Sequence, residues 1–283
     1  MISILSEPMV KVEHGPELSI SLDPSNKFPV TTNCVAKDTS WLGEIMFKVL
    51  SKLNPNVTRG NSEVQVVTSN GGLNLERHKY ILWGCQITNT NNINTSLIDA
   101  RCLTGPNSYK HLKREEGRMF DARLLIPWAF DIPRSKEYTN NFCLIPGEQD
   151  LVFLPMKDRL ETNGITVVDP NSPIEEQMTI MSKSMVVLTS SMTHFLIADG
   201  LGVPVHPFLS RGSRSALGNL LSDYYSGSGR HTSPVLDFSK SISVNTMPND
   251  PGNIYDLNVA LGSCPLEISP ETVKSIKEYF NAS

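Results

Sequence analysis

Residues 178–207, MTIMSKSMVVLTSSMTHFLIADGLGVPVHP, decide how the rest of the chain is interpreted. The run MVVL at 185–188 is short, apolar and rich in β-branched residues, as is typical of a strand buried on both faces of a parallel sheet. Ser190 and Ser191 then provide side chains that cap a helix, and the apolar residues after them continue at helical spacing until Gly202. The stretch therefore predicts one complete strand–turn–helix unit.

The turn of this unit is a candidate binding site for an anion. In open α/β sheets such turns lie at the carboxyl edge, where ligands bind, and a helix N-terminus offers unpaired N–H groups and a partial positive charge. The polar residues that crowd this end are Ser190, Ser191, Thr193 and His194. Each serine is also explained as a helix cap that needs no ligand. His194 is interpreted either as a general acid or anion ligand, or as a histidine packed on the helix face.

Composition narrows the functional classes. The 283 residues carry a net charge of -4, so a nucleic-acid partner is not favoured. The five cysteines are scattered, odd in number and without zinc spacing, which favours reduced, mostly buried thiols in a cytoplasmic protein with no metal site. No apolar run approaches the roughly 20 residues that span a bilayer, and no secretory signal pattern begins the chain. Peripheral membrane association and the oligomeric state are left open.

Strand and helix patterns alternate along the chain, which predicts an α/β fold with parallel sheets covered by helices. The predicted strands lie at 64–67, 80–83, 124–127, 142–146, 165–168 and 185–188, and further predicted helices at 41–53, 104–113, 173–183, 211–225 and 271–280. Residues 128–141 contain a proline and many polar residues, as is typical of a linker. We therefore predict two Rossmann-like domains, 1–135 and 136–283, with a cleft between them. The helix predicted at 271–280 is a candidate to cross back and pack on the first domain.

Short motifs follow one another in a characteristic order. They are WLGE at 41–44, LWG at 82–84, TGPNS at 104–108, FDARLL at 120–125, IPG at 145–147, SSMTH at 190–194 with ADGLGVP at 198–204, and DYY at 223–225. In this order they resemble the motifs of the polysaccharide pyruvyl transferase family, and the resemblance covers roughly residues 38–226. No P-loop, GxGxxG, GxSxG or HExxH motif occurs in the sequence.

The resemblance implies a two-domain fold like that of GT-B glycosyltransferases and a transferase of surface-polysaccharide biosynthesis. Such an enzyme moves a pyruvyl group from phosphoenolpyruvate to a sugar hydroxyl and forms a ketal. Phosphoenolpyruvate is then the donor substrate, and no separate cofactor is implied. We expect the small anionic donor in the cleft against the second half, and the saccharide acceptor on the first half.

Site residues are assigned on the same basis. The expected donor-binding residues are Ser190, Ser191, Thr193, His194, Arg211 and Arg214. The two arginines are included because guanidinium groups can hold phosphate or carboxylate through two hydrogen bonds, and a solvated helix start is the alternative for them. Arg101 and Asp121 are expected to face the acceptor, and Thr104 and Gly84 complete the substrate-binding set. His194 and Asp121 are the predicted catalytic residues, with a simple turn residue as the alternative for Asp121.

Three positions differ from the family pattern. Thr104 stands where the family has arginine, and Gly147 stands where the family has histidine. Thr193 stands at the position of a second family histidine, and in this chain the histidine comes one residue later, as His194. Threonine and glycine do not supply the positive charge that a donor carboxylate or phosphate needs, so Arg101 is considered as a replacement. Two further hypotheses are therefore kept, a glycosyltransferase that uses a nucleotide sugar and a catalytically inactive carbohydrate-binding relative.

Overall fold

The computed structural model describes residues 9–11, 41–57, 64–68, 79–88, 95, 98–115, 117–208, 214–230 and 255–282. This part of the chain forms two four-stranded sheets. The strands of the first sheet are β1 (Met9–Lys11), β2 (Val64–Val67), β3 (Lys79–Cys85) and β4 (Ile98–Leu103), in that spatial order. The β1 strand is antiparallel to β2, whereas β2, β3 and β4 are parallel.

The second sheet is parallel throughout. Its strands are β5 (Asn140–Ile145), β6 (Ile165–Val167), β7 (Ser184–Thr189) and β8 (Val205–Pro207), in the spatial order β6-β5-β7-β8. The central strand β7 pairs Leu188 with Leu144 on one side and with His206 on the other. Because both neighbours run parallel to it, each strand must return by a crossover, which the intervening helices provide. The predicted α/β class with parallel sheets is therefore confirmed.

Helices connect and cover the strands. They are α1 (Trp41–Leu53), α2 (Pro106–His111), α3 (Ile126–Ala129), α4 (Lys157–Thr162), α5 (Ile174–Ser182), α6 (Met192–Gly200), α7 (Arg214–Gly227), α8 (Leu257–Gly262) and α9 (Pro270–Asn281), with 3-10 segments at Ala122–Leu125 and Glu148–Met156. Helix α1 buries Ile45, Val49 and Leu53, whose spacing of four places them on one face. Helix α9 begins as predicted, with Ser269 accepting a hydrogen bond from Thr272 N and proline in the first turn.

One large hydrophobic cluster draws on both sheets. It includes Ile81 and Trp83 of the first sheet and Ile145 and Val187 of the second, all of which have no measurable exposure. Helices α1, α3 and α6 contribute to the same cluster, and α3 packs against both α1 and α6. The end of the chain also returns to the first half, because Trp83 Nε1 donates to the backbone oxygen of Ala260 in α8 at 3.0 Å.

The predicted strand at 124–127 is wrong. The chain there turns as the 3-10 segment Ala122–Leu125 and continues directly as α3. Asp121 starts the turn, because its side chain accepts a hydrogen bond from Arg123 N. Pro127 sits in the first turn of α3, where its missing N–H costs nothing, whereas in a central strand it would remove a ladder hydrogen bond.

Two smaller predictions concern thiols and the membrane. Cys85, Cys102, Cys143 and Cys264 are buried, as predicted for the cysteines, and Cys34 lies outside the described residues. Burial raises the pKa of Cys102 and of Cys143 to about 12, so these thiols stay protonated at neutral pH. Among the described helices, none combines the length and the apolar character that crossing a bilayer requires.

Candidate functional site

The ends of β5 and β7 meet at the carboxyl edge of the second sheet. Gly147, just after β5, donates its N–H to Oγ of Ser190, just after β7, at 2.8 Å. The next residue, Ser191, caps α6 by accepting a hydrogen bond from His194 N, and its own N–H donates to Thr189 Oγ1 at 3.1 Å. The turn predicted from the sequence is thus present, and the helix-capping role expected as the alternative for Ser191 is present too.

The first half of the chain reaches the same edge through α1. Trp41, the first residue of α1, is 43% exposed, and the centroid of its ring lies 5.6 Å from that of His194. The N-terminal ends of α1 and α6 are therefore adjacent. We call the surface formed by Trp41, Ser190, Ser191, Thr193 and His194 the α1–α6 edge; its two serines and Thr193 are half-buried.

His194 is the most enclosed member of the α1–α6 edge, with 4% exposure. Its Nε2 atom lies 2.6 Å from Oε1 of Gln177 in α5, while its Nδ1 atom has no hydrogen-bond partner among the described residues. Burial lowers the pKa of His194 to about 4, so the ring is neutral at pH 7. A neutral imidazole supplies no positive charge to an anion, and an unpaired buried acceptor costs about 1–3 kcal/mol.

The positively charged residues of the expected donor site are Arg211 and Arg214. Arg211 lies outside the described residues, and of Arg214 only the backbone, at the start of α7, lies within them. Their expected role in donor binding stays a prediction. Among the described residues, no group of three or more His, Cys, Asp or Glu side chains is arranged to hold a metal ion.

Asp121 and Thr104 belong to an internal network. Asp121 is fully buried, and its Oδ2 accepts hydrogen bonds from Thr104 Oγ1 and from Arg123 Nη2, both at 2.7 Å. The other carboxylate oxygen accepts from Arg123 Nε at 2.9 Å. Both oxygens are thus occupied by the protein itself, which matches the turn-residue alternative for Asp121. The main partner is Arg123, a residue without a predicted role.

Arg101 and Gly84 also face other parts of the protein. Arg101 is 2% exposed, and its Nε lies 2.9 Å from Oδ2 of Asp99 on the same strand. Gly84 has a φ of +64°, and a Cβ placed there would lie 2.5 Å from the backbone nitrogen of Ala122. The glycine therefore permits the close approach of β3 and the 3-10 segment Ala122–Leu125.

Asp223 joins two of the motifs that carry the family resemblance. Its Oδ1 accepts the N–H of Asn107, and its Oδ2 accepts the hydroxyl of Ser108, both at 2.6 Å. The carboxylate of the DYY motif thus covers the helix start of the TGPNS motif. Burial is the largest influence on the pKa of Asp223 and raises it, while the hydrogen bonds from Ser108 and Asn107 act in the opposite direction.

A third buried ion pair involves Asp199, which lies in α6. Arg230 contacts both carboxylate oxygens of Asp199, with Nη2 to Oδ2 at 3.1 Å, and the hydroxyl of Tyr224 also donates to this carboxylate. The side chains of both charged residues are at most 5% exposed. Buried charges need such partners, so Asp199 of the ADGLGVP motif is accounted for by packing within the fold.

A shallow cavity of about 270 Å³ lies elsewhere, between the segment after α3 and helix α9. It is lined by Trp128, Asp131, Ile132, Pro133, Ser275 and Tyr279. None of these residues was predicted to bind substrate. The polar atoms of its aromatic residues are engaged by the protein, since Trp128 Nε1 donates to Ser275 Oγ and Tyr279 OH to the backbone oxygen of Ile132.

Comparison with known proteins does not assign the chain to a family. No protein-family model matches it, and no curated protein and no solved structure is significantly similar to it.

Proposed function

We propose that the protein is a transferase that moves a pyruvyl group from phosphoenolpyruvate to a saccharide, with both substrates at the α1–α6 edge. The observation that carries the proposal is the contact between Trp41 and His194. It brings the WLGE motif of the first half against the SSMTH motif of the second. The hydrogen bond from Gly147 to Ser190 adds the IPG motif at the same place. Three motifs of the resemblance, which are far apart in the sequence, therefore converge.

The chemistry of this reaction requires groups that the α1–α6 edge can provide. Phosphoenolpyruvate and a sugar diol give a pyruvyl ketal and inorganic phosphate, with one proton moving to the methylene carbon. The half-buried hydroxyls of Ser190 and Thr193, together with the N-terminus of α6, offer hydrogen bonds and partial positive charge to the donor. Arg214, the first residue of α7, and Arg211, three residues earlier in the sequence, are proposed to supply the full positive charge.

Trp41 has a separate part in the proposal. A large ring that is 43% exposed presents an apolar face beside the polar groups of the turn. A sugar ring is apolar on its C–H faces and polar at its rim, so it can stack on such a surface while its hydroxyls reach hydrogen-bonding partners. We propose that Trp41 holds the acceptor in this way. A GT-B-like arrangement with a cleft between two domains is part of the same proposal.

A non-catalytic function is the second candidate. Arg101 and Asp121, which were expected to face the acceptor, are engaged by Asp99 and Arg123. His194 is neutral because burial keeps its pKa at about 4. A saccharide-binding protein needs the exposed Trp41 but none of these charges, so the same observations also favour a carbohydrate-binding relative without activity.

Thermal unfolding with added ligands separates these functions. A ligand that binds only the native state raises the melting temperature, and a concentration of about 100 times Kd stabilises by about 2.7 kcal/mol. For a chain of this size we expect phosphoenolpyruvate to raise the melting temperature by several degrees. UDP, GDP and CMP should have no effect. Stabilisation by a nucleotide alone would favour the glycosyltransferase, and stabilisation by saccharides alone would favour the binding protein.

A matched pair of threonines controls for non-specific effects. Thr193→Val removes a hydroxyl from the α1–α6 edge, whereas Thr179→Val removes one from an exposed position on α5. We expect the first variant to weaken stabilisation by phosphoenolpyruvate and the second to leave it unchanged. Release of inorganic phosphate that depends on both phosphoenolpyruvate and a saccharide then tests the reaction itself. If the wild-type protein binds neither donor nor saccharide, the proposal is wrong.

A further inference from the structure

The side-chain amide of Gln177 is fully buried and fully used. Its Nε2 donates to the backbone oxygen of Pro170 at 3.0 Å and to that of Ser172 at 2.6 Å. Carbonyl oxygens can only accept hydrogen bonds, so both contacts require the NH₂ group of the amide. The amide oxygen Oε1 is therefore the atom that faces His194, at 2.6 Å from its Nε2. The orientation of the Gln177 amide is therefore fixed by its hydrogen-bond partners and is not an arbitrary assignment of oxygen and nitrogen.

The orientation of the amide determines which nitrogen of His194 carries the proton. An amide oxygen has no hydrogen to give, so Nε2 of His194 must be the donor in this contact. In a neutral imidazole the other nitrogen, Nδ1, then holds a lone pair. Nδ1 has no hydrogen-bond partner among the described residues, although His194 is only 4% exposed. Buried polar atoms without partners are rare in folded proteins, and each one calls for a specific explanation.

The surroundings of His194 suggest that explanation. The ring lies in the first turn of α6, next to the half-buried Ser191 and Thr193, and in contact with the exposed ring of Trp41. Nδ1 is enclosed in the unbound protein, so a saccharide hydroxyl reaches it only if the ring of Trp41 that contacts the imidazole moves aside. A hydroxyl is the natural partner for Nδ1, since it donates where the protein offers only an acceptor.

We propose that Gln177 is a positioning residue that holds His194 as the Nε2–H tautomer, so that Nδ1 accepts the proton of the attacking saccharide hydroxyl. The inference rests on the proposed transferase function. In this step the hydroxyl oxygen bonds to the central carbon of phosphoenolpyruvate while its proton passes to Nδ1. The electron pair of the C=C bond takes that proton from Nδ1 at the methylene carbon, which becomes a methyl group. His194 ends as it began, neutral and protonated on Nε2. The second hydroxyl of the saccharide diol then bonds to the same carbon as the C–O bond to phosphate breaks, and its proton leaves with the phosphate.

The environment of His194 suits the second half of this transfer. Burial lowers the pKa of the ring to about 4, so the imidazolium that forms briefly is a stronger acid than an exposed one. A strong acid is what protonation of a carbon atom requires. The Nε2–H contact with Gln177 keeps the ring oriented while Nδ1 gains and loses its proton.

Nitrogen NMR of the imidazole tests the tautomer without any assumption about activity. The long-range proton–nitrogen spectrum of the wild-type protein at pH 7 should show His194 with a protonated Nε2 and an unprotonated Nδ1. Gln177→Met keeps the length of the side chain but removes the amide, and it should lose the preference for this tautomer. A wild-type spectrum with the proton on Nδ1, or on both nitrogens, would overturn the inference.

Kinetics of phosphate release test the consequence. We expect Gln177→Met to lower kcat by about 100-fold while KM for phosphoenolpyruvate stays close to that of the wild type, because proton transfer and not binding is affected. Gln177→Glu keeps an acceptor oxygen toward Nε2 and should recover part of kcat. The matched control is Ser172→Ala, which removes the hydrogen bond from Ser172 Oγ to Asp169 O in the same turn and should leave kcat unchanged.

The outcomes distinguish this inference from the proposed function. Full turnover in a folded Gln177→Met variant would refute the positioning role and leave the transferase function standing. The expected tautomer with no turnover of phosphoenolpyruvate in the wild type would refute the function, and with it the proton transfer. If Gln177→Met does not fold, the wild-type spectrum and the kcat of Gln177→Glu test the inference instead. Loss of all activity in a stable Gln177→Glu protein would also contradict the inference.

Discussion

Asp121 and Arg123 form a bidentate ion pair in which both side chains are at most 1% exposed. Arg123 Nη2 donates to Oδ2 at 2.7 Å and Arg123 Nε to Oδ1 at 2.9 Å. We predict that Asp121→Asn lowers the free energy of unfolding by about 3 kcal/mol, because it leaves the guanidinium buried without its counter-charge. Urea unfolding measured by circular dichroism would quantify the loss.

The double variant Asp121→Leu with Arg123→Met provides the control. Replacing both partners of a buried pair by apolar residues is often neutral, so this protein should recover most of the stability that Asp121→Asn loses. Thr104 Oγ1 loses its acceptor only in the double variant, because the amide oxygen of Asp121→Asn can still accept from it, so the recovery is measured in spite of this loss. If Asp121 were instead a catalytic residue open to substrate, Asp121→Asn would lose activity at unchanged stability.

Gly84 gives a second prediction, about close packing. Its φ of +64° is costly for other residues, and an added Cβ would meet the Ala122 backbone at 2.5 Å. Gly84→Ala should therefore destabilise the protein by about 2 kcal/mol or more. In contrast, a Cβ at Gly218, inside α7, would meet nothing within 4 Å. Gly218→Ala should raise the free energy of unfolding by about 0.5–1 kcal/mol.

The same unfolding experiment checks both glycines. A Gly84→Ala protein as stable as the wild type would mean that β3 can move away from Ala122 without cost. If Gly218→Ala lowered stability, the helix there would be constrained by something other than the space around its Cβ.

Asp223 and Asp256 allow a comparison of a buried and an exposed helix cap. Asp223 accepts hydrogen bonds from Asn107 N and Ser108 Oγ, whereas the exposed Asp256 accepts from Asn258 N at 2.8 Å and caps α8. Asp256→Ala should cost about 1 kcal/mol, the usual value for a lost cap. Asp223→Ala should cost more, about 2–4 kcal/mol, because it leaves buried donors unsatisfied.

Chemical unfolding of the two alanine variants measures both values, and equal costs would contradict the argument from burial. Asp223→Asn refines the result. The amide keeps one acceptor oxygen but brings an NH₂ group toward a donor, so its stability should fall between those of the wild type and Asp223→Ala.

Local patterns predicted several of the elements that bury a regular face, although the buried strand β4 was missed. Helix α1 was predicted with its observed bounds because its apolar residues recur at three and four positions. Strand β7 and helix α6 followed from an apolar run, two serines and a glycine. Each of these signals lies within a few residues of the structure that it determines.

Elements without such a face were missed or misassigned. Helix α4 has no buried residue, so nothing in its sequence distinguishes it from a polar loop. The run at 124–127 is apolar enough for a strand, but the Asp121 cap and Pro127 direct it into a turn and a helix. A short apolar run cannot by itself distinguish strand from helix.

Site residues depended on contacts between distant segments. Asp99 and Arg101 are two apart on a strand and so share a face, which could have predicted their ion pair. The pair of Asp121 and Arg123 has the same spacing but forms in a 3-10 turn, which the sequence did not reveal. Gln177 offered no local signal at all, because its contact with His194 depends on how α5 packs against α6.

His194 leads to a prediction about acid stability. Burial lowers its pKa to about 4 in the folded protein, against 6.5 as its ordinary value. Between these values the unfolded chain binds the proton more readily than the folded one, so protonation favours unfolding. The contribution of neutral His194 is therefore fully present above pH 6.5 and is lost as the pH falls toward 4. Integrated over this window it amounts to about 3 kcal/mol.

The measurement compares urea unfolding of the wild type and of His194→Gln from about pH 7 to pH 4. The glutamine cannot titrate, so the wild type should lose about 3 kcal/mol more stability than the variant across this range. Thr193→Val, a non-titrating change one residue away, should follow the wild-type slope. Parallel curves for the wild type and His194→Gln would show that the imidazole takes up its proton equally in both states. In that case the ring is hydrated in solution, and the unpaired Nδ1 is not enclosed by the fold.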